Sequence, residues 1–274
     1  MKNYNITLDY VKCYKDKCKK ENEKVIKNSN ILNMKTELAK ITDLKKKEAL
    51  IKQIYSNKDQ NNLDICAFNK CKKLNTDLIK VRINTLLDNI KLYDIKLSSD
   101  NQEKLNKLKK LSIKTSLTDE EYLSFIISLK IIQEIVNKQL SDIFKPIIEN
   151  MGKLIKCSEK NCTILYRNVA EDKELREKKV SLHGIKDTNK RNKLIKEIFS
   201  SKKQVELDKC IAKKCNKICL NVIHESMKLI NQKIKNKNIK IPDNIKFNDV
   251  KKLSVDDIPE LIIKFNQISH FVGK

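Results

Sequence analysis

Cysteine is the residue type that offers the clearest chemistry in this chain of 274 residues. Eight of the nine cysteines lie in four pairs that share the spacing C-x4-C, and only Cys219 stands outside them. The pairs read CYKDKC, CAFNKC, CSEKNC and CIAKKC, and they start at positions 13, 66, 157 and 210. Regularly spaced thiols form disulfide bonds or bind a metal ion such as zinc.

The register of the pairs repeats along the chain. The first cysteines of the two pairs in each half are 53 residues apart, so a shift of 144 residues lays one half on the other. The segment KKKEALIKQIYSNKDQNNLDICAFNKC then aligns without a gap to NKRNKLIKEIFSSKKQVELDKCIAKKC. This is the pattern of a tandem duplication. It predicts two related domains, residues 1–148 and residues 149–274.

The elements that hold these cysteines are predicted to be helices. Only three glycines and three prolines occur in the chain, which disfavours the tight turns of an all-β fold. After the second pair of each half, apolar residues recur every three or four positions, as on the buried face of a helix. Thr118 and Glu121 have the spacing of a capping box, which predicts a helix that stops near Pro146. Ser254 and Asp257 are expected to cap its duplicate.

These patterns predict an all-α fold of two tandem cysteine-clamped helical hairpins, each followed by a trailing helix. Five residues of helix advance about 7.5 Å and turn the chain by about 140°. Two cysteines of one pair therefore cannot bond each other without breaking the helix, and each needs a partner in the other pair of its half. Antiparallel segments predict the bonds Cys13–Cys71, Cys18–Cys66, Cys157–Cys215 and Cys162–Cys210. The angle within a pair also requires a helix end, a distortion or an oblique crossing at that point.

A zinc site is the first alternative for the same eight cysteines. Each half would supply four thiolates, and four intervening residues are within the spacing that structural zinc accepts. Zinc knuckles commonly lie on loops that contain glycine, whereas the flanks here are rich in lysine and continue into helical periodicity. Reduced cysteines in the core are the second alternative. We expect disulfide bonds, with no metal and no cofactor.

Other residues offer little catalytic chemistry, and the chain is predicted not to be an enzyme. The three histidines share no common spacing, and glycine is too scarce for a phosphate-binding loop. Cys219 follows Cys215 by one helical turn and is interpreted as a buried thiol. A thiol oxidoreductase, in which Cys219 exchanges with a clamp cysteine, remains an alternative. Asp64 and Asp208 are duplicated before their cysteine pairs, and we expect them to cap helices.

The chain is strongly basic, with a formal net charge of +24 from 59 basic and 35 acidic residues. This charge predicts binding to polyanions through counterion release. Only four arginines occur and no recognition motif is present, so base-specific readout is not expected. Solvated helix faces are the alternative interpretation of the lysine patches. The candidate patches contain Lys15, Lys17, Lys19, Lys20, Lys45, Lys46, Lys47, Lys104, Lys107, Lys109, Lys110, Lys233, Lys235, Lys237 and Lys240.

Disulfide bonds in a lysine-rich chain restrict the cellular setting in which the protein can be made. The first residues contain no apolar block typical of a signal peptide, and the cytosol keeps thiols reduced. The longest apolar stretch, residues 125–136, is too short and too polar to span a bilayer. The composition, as in NKNIKIPDNIKFND, resembles that of cysteine-paired virion proteins of large cytoplasmic DNA viruses of the mimivirus and poxvirus kind. An AT-rich cellular genome would produce the same bias.

The resemblance implies a structural or packaging component of a virion that is assembled in the host cytoplasm. We expect its partners to be other virion proteins and nucleic acid bound without sequence specificity. The alternative from a different class is a zinc-stabilised, sequence-independent nucleic-acid-binding protein. The metal content of the protein distinguishes the two hypotheses.

Overall fold

The computed structural model describes residues 2–114, 117–185, 187–240 and 257–272. These residues form fourteen helices and no strand, which confirms the predicted all-α class. The helices before the midpoint are α1 (Lys2–Lys17), α2 (Lys19–Lys27), α3 (Ser29–Lys40), α4 (Leu44–Ser56), α5 (Lys58–Lys70), α6 (Lys72–Leu92) and α7 (Ser99–Ser112). They are followed by α8 (Asp119–Asn161), α9 (Thr163–Glu171), α10 (Lys173–Ser181), α11 (Thr188–Phe199), α12 (Lys202–Lys214), α13 (Asn216–Lys237) and α14 (Ile258–Val272).

The chain divides into two compact units, Met1–Ser141 and Asp142–Lys274. The sequence-based boundary at 148/149 therefore lies within the part of α8 that belongs to the second unit. In the first unit, α1 packs against α6, and α2 packs against α5. In the first unit, α1 and α2 therefore form one arm of a hairpin and α5 and α6 form the other, with α3 and α4 as the connection between them.

Side-chain caps define several helix starts, and they recur in both units. Asp43 and Asp187 each accept a hydrogen bond from a backbone N–H three residues later, at 2.8 Å in both cases. Thr118 and Glu121 form the predicted capping box, with each side chain accepting the backbone N–H of the other residue at 3.2 Å. Ser254, which was expected to cap the last helix, lies outside the described residues.

Helix α8 does not stop at Pro146, so the predicted helix end there is wrong. A proline inside a helix removes one backbone hydrogen bond and costs about 3 kcal/mol. Pro146 is exposed, and the helix that follows it is anchored in the second unit by a disulfide bond at Cys157 and by buried Ser158. These contacts offset the missing bond, and the helix continues to Asn161.

Each unit has its own apolar core. In the first unit, α8 contributes Tyr122, Phe125 and Ile132, each at most 1 % exposed. Burial of such a side chain stabilises a fold by about 1.5–3 kcal/mol. In the second unit, Ile195 of α11 and Ile258 of α14 are equally buried. None of the described helices is long and apolar enough to cross a lipid bilayer.

Candidate functional site

The four C-x4-C pairs form four disulfide bonds. Their Cα atoms are 6.0–6.1 Å apart, which is the usual separation for a disulfide. The partners are those that the duplicated register predicts. The bonds are Cys13–Cys71, Cys18–Cys66, Cys157–Cys215 and Cys162–Cys210. The eight sulfur atoms that the zinc alternative requires as thiolates are therefore engaged with one another in this structure.

A helix break at the second cysteine of each pair makes this pairing possible. Cys18, Cys71, Cys162 and Cys215 each stand between two consecutive helices, with φ between −127° and −115° and ψ between 27° and 36°. The break changes the direction of the helix and brings both cysteines of a pair to one interface. Of the three alternatives predicted near each pair, a helix end is the one that the structure shows.

Lysines reinforce the first clamp. The Lys17 ammonium donates to the backbone carbonyl of Lys70 at 3.5 Å, and Lys70 donates to the carbonyl of Lys17 at 3.0 Å. Both carbonyls belong to the last residue of a helix. The positive charges therefore meet the negative ends of the helix dipoles, which stabilises both ends. Lys17 is a predicted polyanion ligand, and part of its hydrogen-bonding capacity is used within the clamp.

A buried polar chain follows the clamp in each unit. In the first unit, Lys35 donates to the Gln60 carbonyl oxygen at 2.8 Å, and the Gln60 amide donates to Asp64 at 3.0 Å. In the second unit, the equivalent lysine and glutamine repeat both bonds at 2.8 Å and end at Asp208. A glutamine thus bridges a cation and a carboxylate in both units.

The two aspartates are not helix caps, so that prediction is wrong. Each lies in the middle of its helix, where it accepts a hydrogen bond from the glutamine one turn earlier. Burial raises the pKa of Asp64 and of Asp208 to about 6, while the glutamine bond acts in the opposite direction. Lys35, Gln60 and their counterparts were not predicted from the sequence. Their identity across the shift of 144 residues was a signal that could have found them.

The polar chain of the first unit opens into a cavity of about 310 Å³. All lining residues belong to the first unit. The lining combines aromatic hydroxyls, amides and charged groups with apolar side chains. Its polar members are Tyr10, Tyr14, Asn22, Lys35, Tyr55, Gln60, Asp64, Asn75, Arg82, Tyr122 and Lys130.

Two tyrosines and an asparagine are linked within this cavity. The Asn75 amide donates to the Tyr122 hydroxyl at 2.7 Å, and Tyr122 stacks on Phe68 with ring centroids 4.2 Å apart. The hydroxyls of Tyr122 and Tyr10 are close enough to shift each other's pKa. Burial raises the pKa of Tyr10 to about 12, so its hydroxyl holds its proton at neutral pH.

The second unit has apolar residues at the corresponding positions. At the shift of 144 residues, Cys219 stands where the first unit has Asn75. The trailing helices align at a shift of 136 residues, which places Ile258 where the first unit has Tyr122. Both are buried, at 6 % and 1 % exposure. Burial raises the pKa of the Cys219 thiol, which reduces the thiolate fraction needed for disulfide exchange. Cys219 thus has the environment of a core residue, as predicted from the sequence.

The predicted polyanion ligands fall into two classes. Lys47 and Lys104 form internal ion pairs, with Glu134 at 2.5 Å and with Glu48 at 3.1 Å. Lys233 is half-buried and has an interaction partner. Exposed on the surface are Lys15, Lys17, Lys19, Lys20, Lys45, Lys46, Lys107, Lys109, Lys110, Lys235, Lys237 and Lys240.

No protein-family model, curated protein or solved structure matches this chain.

Proposed function

We propose that the protein is a non-enzymatic structural or packaging component of a virion, with disulfide clamps that hold each unit and exposed lysines that contact polyanions. The observation that carries the proposal is the doubled clamp, which occurs in both units of a chain with a net charge of +24. Two disulfide bonds per unit restrict the unfolded chain and so stabilise the helical fold, as a particle that persists outside a cell requires. The particle would be assembled in the host cytoplasm, where the virus itself provides the oxidation that forms the disulfide bonds.

The exposed lysines support the second half of the proposal. Lys107, Lys109 and Lys110 are exposed on the last two turns of α7, where the helix dipole also favours cations. Lysines that are free of internal ion pairs can displace the counterions of a nucleic acid. Few arginines are available for base contacts, so binding is expected without sequence preference. The remaining partners are other proteins of the particle.

Nucleic-acid binding is tested with a triple variant of the α7 patch. In Lys107→Gln, Lys109→Gln, Lys110→Gln, the logarithm of duplex affinity should depend less steeply on the logarithm of salt concentration. The slope should fall by about 0.9 for each phosphate that the variant no longer neutralises. A control that removes one exposed lysine from each of three other helices has the same net charge: Lys40→Gln, Lys80→Gln, Lys193→Gln. Equal slopes for the two variants would contradict a specific role of the patch.

The mass of the intact protein tests the oxidised state that the proposal requires. Protein from purified particles should be about 8 Da lighter without reductant than with it, two hydrogens for each of four bonds. A protein that carries zinc and shows no such mass difference would instead favour the zinc-stabilised nucleic-acid-binding alternative. Catalysis of thiol exchange by the isolated protein would favour the oxidoreductase alternative.

A further inference from the structure

Arg82 and Lys130 are two cations that share the wall of the polar cavity in the first unit. They also line a second cavity of about 550 Å³, so both side chains lie where the two cavities meet. Among the ion pairs of the described residues, neither has a carboxylate partner. Burial lowers the pKa of Lys130, and the charge of Arg82 lowers it further. Two neighbouring positive charges without a directly paired carboxylate are complementary to an anion.

The carboxylates that face this pair are already engaged. Asp64 lines the same cavity and accepts the amide of Gln60, which in turn accepts the ammonium of Lys35. Glu134 raises the pKa of Lys130, but its carboxylate is bonded to Lys47 at 2.5 Å. Asp64 and Glu134 therefore act on Lys130 only through their charges, and neither forms a direct ion pair with Lys130 or Arg82 among the described residues.

The tyrosine chain supplies a hydrogen-bond donor to the same space. Tyr10 lines the cavity, and burial raises its pKa to about 12, so its hydroxyl carries a proton at neutral pH. Asn75 donates to Tyr122. The protonated hydroxyl of Tyr10 can therefore donate to an acceptor that enters the cavity.

The second unit provides an internal comparison. At the shift of 144 residues it has Ser226 in place of Arg82 and Leu154 in place of Tyr10. At the shift of 136 residues that aligns the trailing helices, it has Asn266 in place of Lys130. The Lys–Gln–Asp chain recurs in the second unit, so it does not distinguish the units. The cationic pair and the tyrosine chain occur only in the first unit. Fold maintenance alone does not require them, because the second unit buries apolar groups at the equivalent tyrosine and asparagine positions.

We propose that the cavity of the first unit binds a small phosphorylated molecule, with its phosphate group between Arg82 and Lys130 and the Tyr10 hydroxyl as a further donor. Guanidinium groups bind phosphate oxygens through paired hydrogen bonds, and an ammonium adds a point charge. A volume of about 310 Å³ falls at the lower end of the range for small-molecule sites. The apolar lining leaves room for a small organic group on the phosphate. This site is independent of the proposed packaging role.

The test measures binding of two probes, inorganic phosphate and glycerol phosphate, by calorimetry at constant ionic strength with the oxidised full chain. The chain has no tryptophan and seven tyrosines, four of which line the cavity. A saturable tyrosine difference spectrum should therefore accompany binding. Tighter binding of the ester would identify a phosphorylated molecule, and equal binding would identify phosphate itself as the recognised group; both outcomes support the site.

Matched variants separate the cavity from the basic surface. The variant Arg82→Ser, Lys130→Asn copies the second unit and should weaken probe binding at least about tenfold, because two charge-assisted bonds are removed. Lys73→Ser, Lys80→Ser removes the same charge from exposed positions of α6 and should bind as the wild type does. Circular dichroism and intact mass verify the fold and disulfides of each variant.

Two results would overturn the proposal. One is equal affinity of the wild type and the cavity variant. The other is the absence of a saturable tyrosine signal with both probes. The second result decides the question on the wild-type protein alone, even if the cavity variant does not fold. A phosphate that binds only to exposed lysines would leave the spectrum of the buried tyrosines unchanged.

Discussion

Replacement of the buried carboxyl of Asp208 by an amide is expected to stabilise the protein increasingly as the pH rises from 4 to 7. Asp208 is 6 % exposed, and only one of its oxygens has a hydrogen-bond partner. Burial raises its pKa to about 6. In Asp208→Asn, the side-chain oxygen can still accept the Gln204 amide, but no negative charge can form.

The sign follows from proton binding in the two states. Between about pH 4 and pH 6, the folded state holds a proton on Asp208 that the unfolded state releases. The unfolded state therefore binds fewer protons, and stability falls as the pH rises through this window. A carboxyl whose pKa rises from 3.8 to about 6 on folding destabilises the ionised native state by roughly 3 kcal/mol. About 2 kcal/mol of this change falls between pH 4 and pH 7.

The assay is urea unfolding of the oxidised protein, followed by circular dichroism at several pH values. The difference in unfolding free energy between variant and wild type should grow by about 2 kcal/mol from pH 4 to pH 7, because all other titrations cancel. Asp88→Asn, at an exposed position, controls for the change in net charge. A difference that is constant over this range, or that decreases toward pH 7, would refute the account of Asp208 as a carboxyl held protonated by burial.

Two further predictions concern the first unit. Removal of one clamp bond in Cys13→Ser, Cys71→Ser should lower the free energy of unfolding by up to about 4 kcal/mol from loop entropy, and by less because the remaining bond already closes most of the loop. Urea unfolding with and without reductant measures this change. An unchanged free energy of unfolding would contradict a stabilising clamp. Tyr122→Phe should cost about 1–3 kcal/mol because the buried Asn75 amide is left without its acceptor. The double variant with Asn75→Cys should recover part of this cost, and strictly additive effects in the double-mutant cycle would argue against a coupled pair.

Much of the fold could be predicted because its signals are local or periodic. The apolar stripes and the near absence of glycine and proline indicate helices whatever the tertiary arrangement. The capping box at Thr118 depends on residues three positions apart, and it is present as predicted. The end of α8 was predicted wrongly at Pro146. A proline removes only one hydrogen bond, and contacts farther along the helix decide whether the helix continues beyond it.

The disulfide pairing could also be predicted, although it joins residues 48 and 58 positions apart. The duplication provides a second copy of the same register, and helix geometry excludes bonds within a pair. The antiparallel pairing is the arrangement that both units show. The role of Asp64 could not be predicted in the same way. A charged residue in a largely polar helix gives no sign of burial until the neighbouring helices are in place.

The sequence by itself thus determined the helical class, the repeat register and the partners of the eight clamp cysteines, because each depends on spacing along the chain. Only the tertiary structure decided where buried charge accumulates. The cavity of the first unit takes Tyr10 from α1, Tyr55 from α4, Asp64 from α5, Arg82 from α6 and Lys130 from α8. These residues share no motif or period. Their common surroundings arise from the packing of five helices, which also removes water from Tyr10, Asp64 and Lys130 and so shifts the pKa of each. The same packing places Arg82 and Lys130 in one cavity wall without a directly paired carboxylate in the described part of the chain.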